Sequence, residues 1–227
     1  MPNKTVLIIP DLQQPFTHRY ALPFLKAVAN EYRPDEVVCV GDEADAAALS
    51  KYPKDPDGQS AGDELRKARR ALRSYYEIFP VVKICNSNHQ QRLYKRAYEA
   101  GIPRELIVGY RDYLQAPEGW EWADNWIIDG VQYEHGDRAA GISVGPKLVD
   151  ANHRSTVFGH HHSTAGLGYI RKGNRTLFWM NVGCLIDENS YAMGYTRMHR
   201  TKPILSCGVV VDGVPSLIPM LKGLRHR

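Results

Sequence analysis

No apolar stretch in this chain approaches the ~18 residues needed to cross a bilayer, so the sequence predicts a soluble protein. An export signal is also missing. Met1-Pro2-Asn3-Lys4 leads straight into a strand-like run, without the apolar core and small-residue cleavage site of a signal peptide, and a cytoplasmic location is expected. Cysteine is scarce. The four present, Cys39, Cys85, Cys184 and Cys207, lie far apart and form no Cys-x-x-Cys pair, which argues against a zinc knuckle or disulfide frame and for small core residues in a reducing compartment. No repeat, low-complexity tract or linker breaks the 227 residues, so residues 1–227 are expected to form a single domain. Charge of one sign is in only slight excess, +4 with a pI near 8.8, which permits a polyanionic partner without demanding one.

What the chain does have is a series of short apolar runs that stop on polar residues. Val37 to Val40 is four apolar residues bounded by Glu36 and Gly41, too short for a helix and too apolar for an exposed edge, which predicts a strand of a covered parallel sheet. Asp42 follows at its carboxyl end, where open α/β sheets bind ligands. Thr5 to Pro10 and Val81 to Cys85 are similar strands, ending in Asp11-Leu12-Gln13 and Asn86-Ser87-Asn88-His89. Trp126 to Ile128 and Val131 to Glu134 flank Asp129-Gly130, a two-residue hairpin signal, and the second arm ends in His135. Thr156 to Phe158 ends in Gly159-His160-His161-His162, Leu177 to Met180 ends in Asn181-Val182-Gly183, and Cys207 to Met220 folds back around Asp212-Gly213. Helices are expected at Tyr20 to Tyr32, Asp63 to Ile78, Gln90 to Ala100 and Val144 to Ala151, with a helical turn from Asp45 to Leu49. Residues 101–125, rich in aromatic and polar types, are expected to be an irregular insertion with short helices.

Strand ends thus present Asp11 with Gln13, Asp42 with Asp45, Asn88 with His89, His135, and His160 with His162. Each pair alone is ordinary turn chemistry. Five in order at one sheet edge indicate a metal centre, and their mixture of imidazole and carboxylate suits transition metals better than an all-oxygen shell would.

The series Asp11-x-Gln13, Gly41-Asp42-x-x-Asp45, Asn88-His89, His135 and Gly159-His160-x-His162 resembles the calcineurin-like metallophosphoesterase superfamily over residues 5 to about 183. The run from Gly41 to Pro56 is further similar to members encoded by bacteriophages and prophages, which would place the protein in a host-cell cytoplasm. The resemblance implies an α/β fold, an α/β/β/α sandwich of two mixed sheets flanked by helices. It implies two divalent ions, Mn foremost with Zn, Fe or Ni as alternatives. Asp11, Gln13, Asp42 and His162 would hold one ion, and Asp42, Asn88, His135 and His160 the other. The activity implied is hydrolysis of a phosphodiester, in a nucleic acid or nucleotide, by a hydroxide generated between the ions. His89 would protonate the leaving oxygen, and Asp45 would orient His89. Gln13 stands where the family usually has histidine, Ser87 where it has Gly, and Gln90 where it has Asp or Glu.

Arg92 falls where the phosphoprotein phosphatases of that superfamily place a phosphate-binding arginine; it is a candidate clamp or a solvated helix residue. His161 is a candidate substrate contact. These leave open a phosphomonoester or phosphoprotein phosphatase, or a silent scaffold, as alternatives to the diesterase. Arg66, Lys67, Arg69, Arg70 and Arg73 form a basic helix stripe, and Lys51, Tyr52 and Lys54 a loop that could overhang the site, both able to face nucleic acid. Asn181 is expected to support the site; His18, His153, His199 and His226 are expected to be ordinary polar positions.

Overall fold

Two mixed sheets lie face to face in a computed structural model that describes residues 4–52, 56–190 and 202–221. The first sheet has a parallel centre of β1 (Val6–Ile9), β2 (Glu36–Cys39), β3 (Val82–Cys85) and β4 (Trp120–Ala123), extended beyond β1 by the antiparallel hairpin of β10 (Ser206–Val211) and β11 (Val214–Pro219). The second runs in the order β5 (Asn125–Ile128), β6 (Val131–Glu134), β7 (Thr156–Phe158), β9 (Arg175–Asn181) and β8 (Gly166–Lys172), with β6, β7 and β9 parallel.

Unbroken apolar strands follow from burial on both faces. Successive side chains point to opposite sides, so Val6, Ile8, Val38 and Val40 meet Tyr133, Val157, Phe178 and Met180 between the sheets. Leu7, Ile9 and Cys39 instead pack under α1 (Ala21–Tyr32), α2 (Ala61–Ile78) and α4 (Tyr110–Leu114) through Phe24, Leu25, Leu72, Tyr75 and Leu114. On the far side, α5 (Val144–Asn152) lays Val144 and Leu148 on Phe158 and Trp179. The result is the helix, sheet, sheet, helix layering expected, and truncating a residue such as Ile8 or Leu72 to Ala would cost about 2–5 kcal/mol.

Local chemistry sets the element ends. Ser60 caps α2 by accepting from the Asp63 backbone N–H at 3.1 Å. Asp129-Gly130 and Asp212-Gly213 both adopt positive φ at each residue, as tight hairpin turns require. All four cysteines are buried and free, and among the described residues no helix is long and apolar enough to cross a membrane.

Two expectations need correction. The stretch assigned to an irregular insertion does hold a short helical turn at Arg104–Leu106 and α4, but its end is β4, paired in parallel with β3. Trp120 anchors that strand, fully buried and donating from its indole to the Phe79 carbonyl at 2.8 Å. Strand β8, which pairs along its length with β9, was not expected at all. Lys54, His199 and His226 lie outside the described residues.

Candidate metal centre

The carboxyl ends of β1, β2, β3, β6 and β7 come together at one edge of the sandwich, so segments far apart in sequence deliver their polar residues to one place. Backbone bonds lock these loops to each other: Gln13 N–H donates to the Asp42 carbonyl (2.7 Å), Asp45 N–H to Gln14 (3.0 Å), and Gly159 N–H to His135 (3.0 Å). Gln13, Asp42 and His160 all sit at positive φ, at 48°, 51° and 66°. That conformation is rare outside glycine and clusters where function constrains the backbone.

Asp42 is the hub. Its Oδ2 lies 3.5 Å from Gln13 Nε2, from His89 Nε2 and from His135 Nε2. One atom each from Asp42, His135 and His160 falls within mutual reach of a single ion, and so does one each from Asp11, Asp42 and His162. The two groups share Asp42, and all but the partly buried His160 and His162 are buried.

The atoms meeting there favour a cation. His135 Nδ1 donates to the Val40 carbonyl at 2.9 Å, which leaves the lone pair of Nε2 facing Asn88 Oδ1 (2.7 Å) and His160 Nδ1 (3.1 Å). In neutral His135 that lone pair would meet the Asn88 oxygen, a contact that needs a proton or a metal ion between the two atoms. Asp11 Oδ2 accepts from the His160 backbone N–H (3.0 Å) and meets His162 Nε2 at 2.8 Å, while its Oδ1 is buried without a partner. An unsatisfied buried acceptor costs about 1–3 kcal/mol. A Cβ on Gly159 would sit 2.3 Å from that same Oδ1, so only glycine leaves the carboxylate its place. The donor set therefore fits divalent transition metals.

Electrostatics say the same. Burial raises the Asp42 pKa, but the charges of His135 and His89 outweigh it and hold the carboxyl well below the usual range. Burial lowers the pKa of His135 and His162, yet Asp42 for the first and the bond to Asp11 for the second leave both raised. Burial, then His135, push His160 down to about 4. The raised values favour protons on imidazoles that a metal ion would need deprotonated. Beside it, burial lifts the Glu43 carboxyl to about 7 while the Trp122 indole donates to it at 2.9 Å.

His89 faces this cluster from the β3 end. Its Nδ1 lies 3.1 Å from Asp45 Oδ1, at ion-pairing distance but without hydrogen-bond alignment. Its Nε2 meets Arg92 Nη2 at 2.6 Å, and because a guanidinium only donates, Nε2 is the acceptor and the ring proton of the neutral form sits on Nδ1. Arg92 Nη1 donates to both the Asp45 carbonyl (2.7 Å) and Asp45 Oδ1 (2.8 Å). Arg92 is therefore neither solvated nor free; it is clasped to Asp45 and His89.

Other expected residues are placed differently. Gln13 turns its Nε2, not its Oε1, toward Asp42 and His162, so ligation by its oxygen requires the amide to turn over. His161 packs edge-on against Phe158 and against His160 of the Asp42 cluster, its own Nε2 buried without a partner. Asn181 supports the site as expected, donating to the carbonyls of His161 (3.2 Å) and Thr164. His18 accepts from the Tyr20 backbone N–H at 3.3 Å, and His153 closes α5 at positive φ. On α2, Arg66 pairs with Asp63, and Arg69 binds the Tyr113 and Asp112 carbonyls, so the stripe offers fewer free cations than its sequence suggests. The role of Glu64 was not foreseen: it accepts from the Ala47 and Ala48 backbone N–H groups at 2.7 and 2.8 Å, fixing the turn after Asp45. Arg96, likewise unforeseen, binds the Leu49 and Ser50 carbonyls. Nothing in local sequence distinguishes either residue from an ordinary helix-surface charge.

No family model matches the chain. Among similar curated proteins are the Gene 54 proteins of Mycobacterium phage L5, 26% identical over 254 residues, and of Mycobacterium phage D29, 26% identical over 261 residues; each match covers 97% of this chain and 95% of the relative. Solved structures with some likeness include Vacuolar Protein Sorting 29 from Cryptosporidium parvum (14% identity, TM-score 0.43, 96% of each chain). Others are the Pseudomonas putida nuclease MPE (11%, TM-score 0.36, 95% of this chain and 86% of that one) and the E. coli phosphoesterase Yfce (13%, TM-score 0.35, 94% and 96%).

Proposed function

We propose that this chain is a single-domain, metal-dependent phosphoric ester hydrolase whose substrate is a phosphodiester in a nucleotide or nucleic acid. The observation that carries it is the buried convergence of Asp11, Asp42, His135, His160 and His162 as two potential ion sites with Asp42 in common. Asp11, Gln13, Asp42 and His162 would hold one divalent ion, and Asp42, Asn88, His135 and His160 the other, with Mn the expected metal. Such a pair neutralises phosphate oxygens and activates a water at neutral pH.

His89 is the residue suited to deliver a proton to the leaving oxygen, and Asp45 the one that holds its ring. Arg92 occupies His89 Nε2 in this structure, so the acid role requires Arg92 to give up that bond. A bound phosphate offers the guanidinium a bidentate partner of opposite charge, which would draw it away and free Nε2. His161 remains a candidate substrate contact, one that requires its ring to turn and bring the buried Nε2 outward. The two phage relatives agree with an origin in a bacteriophage genome.

Arg92 also favours a second reading. A guanidinium beside His89 suits the extra negative charge of a phosphomonoester, which makes a phosphatase the alternative. The deciding experiment is turnover by the purified, Mn-loaded protein of bis(4-nitrophenyl) phosphate against 4-nitrophenyl phosphate and phosphopeptides. Faster diester hydrolysis that EDTA abolishes and Mn restores supports the proposal; monoester turnover alone replaces it with the phosphatase, and no turnover of either supports a silent scaffold.

A further inference from the structure

A cleft of about 650 Å³ opens on the outer face of α3 (Gln91–Glu99), beside the residues that flank Asn88 and His89. It is the size of pockets that hold small ligands. Gln90, Tyr94 and Tyr98 line it at intervals of four residues, one face of a helix, and Lys95 and Arg104 edge it. At 1.5 Å per residue this wall runs about 13 Å away from His89.

The side chains there are an unusual surface set. Tyr98 is 86% exposed, and Tyr94 carries the Arg104 guanidinium over its ring at 5.3 Å. Both carboxylates of the cleft are occupied: Glu99 pairs with Arg96 at 2.7 Å, and Asp124 accepts from Asn86 at 2.8 Å. Lys95 and Arg104 have no carboxylate partner among the described residues. Tyrosine rings with Lys95 beside them and Arg104 lying over one of them complement stacked bases joined by phosphates, while Glu99 is neutralised by Arg96 and Asp124, held by an amide, keeps its charge; aromatic rings with cations are how grooves hold single strands without reading sequence.

We infer that this cleft is a track for single-stranded nucleic acid leading away from the metal centre, with Tyr94 and Tyr98 stacking bases and Lys95 and Arg104 meeting phosphates. The inference deepens the phosphodiester reading and rests on it for its biological sense. Base stacking on each tyrosine is expected to contribute about tenfold in affinity.

The test is fluorescence anisotropy of a labelled oligothymidylate of about twelve nucleotides, within the site sizes of such grooves, with the full chain in EDTA so that no cleavage intrudes. Tyr98→Ala, whose side chain is exposed and cannot unfold the protein, should weaken binding about tenfold, and Tyr98→Phe should restore it. Lys95→Ala should lower the log-log salt slope by about 0.7. Unchanged affinity in Tyr98→Ala together with an unchanged slope in Lys95→Ala overturns the inference, as does a wild-type chain that does not bind the probe. Turnover of the small diester by the wild type is read separately. If it is absent while the variants still lose binding, the hydrolase proposal fails and the track stands; if it is present and the variants bind normally, the reverse holds.

Discussion

The two ends of strand β2 carry carboxylates in opposite circumstances. At the amino end a partly buried Glu36 sits between Lys4 and Lys83, at 2.5 and 2.6 Å, at the edge of the solvent. At the carboxyl end Asp42 is buried among imidazoles, an amide and Asp11, on a backbone at positive φ. The first is an ordinary surface pairing of small worth. The second concentrates strain and buried charge, features that weaken a fold, and a divalent ion bound there would offset the charge. One strand thus separates anchoring from chemistry by only six residues.

Asp42→Asn should break this contrast most severely. Losing the shared carboxylate should remove bound metal, read by elemental analysis, and take phosphodiester turnover to background. Added Mn should raise the wild-type melting temperature through preferential binding to the folded state, and should not do so for the variant. Retention of two metal equivalents by Asp42→Asn would end the bridging assignment.

His89→Asn should have the next largest effect, lowering turnover about 10²- to 10⁴-fold with metal content unchanged. The loss should shrink for a nitrophenolate leaving group, which needs no proton. Metal loss in this variant would make His89 a ligand. Arg92→Ala removes the guanidinium proposed to move onto the phosphate, and one charge-assisted bond of about 1.5–3 kcal/mol in the transition state corresponds to a fall of roughly ten- to a hundredfold. Arg92→Lys should not rescue it, because bidentate binding of a phosphate needs the planar fork. A double-mutant cycle with His89→Asn should show strong non-additivity if the two act as a unit.

Glu36→Gln should have the smallest effect and at the other end of the strand. Partial burial raises the Glu36 pKa, but hydrogen bonds from Lys4 and Lys83 outweigh it and leave it below its ordinary 4.5. A depressed folded pKa means the charged form stabilises above about 4.5 and that this contribution fades as pH falls through the folded value. Wild type and Glu36→Gln should therefore differ slightly near neutrality and converge in acid, with turnover the same. A change in turnover would show the two ends of the strand to be coupled.

Much of the site was legible because its residue types are rare in combination and each follows an apolar run that only a buried strand explains. Asp11, Asp42, Asn88, His135, His160 and His162 all converge. What was not legible depends on partners remote in sequence. Strand β8 is masked by Gly166 and Gly168, which lower strand propensity; yet a Cβ at Gly168 would lie 2.6 Å from Trp179, so close packing demands the glycine there. Strand β4 hides in an aromatic-rich stretch where only the alternation of buried Trp120 with exposed Glu121 marks it. Arg69 and Arg92 look like free surface cations until the carbonyls of α4 and the side chain of Asp45 are in view. Periodicity reports which face of an element is buried; it is silent on what a long polar side chain reaches.

The left-handed backbone at Gln13, Asp42 and His160 gives the site a recognisable behaviour under selection. Glycine adopts that conformation freely, whereas β-branched residues resist it. In a saturation library sorted for folded protein, glycine should be enriched at these three positions and valine, isoleucine and threonine depleted. Sorting the same library for turnover should discard the glycine variants, because they keep the bend and lose the side chain proposed to meet the metal. Positions where the two sorts disagree in this direction mark where backbone shape and side-chain chemistry are inherited as separate demands on one codon.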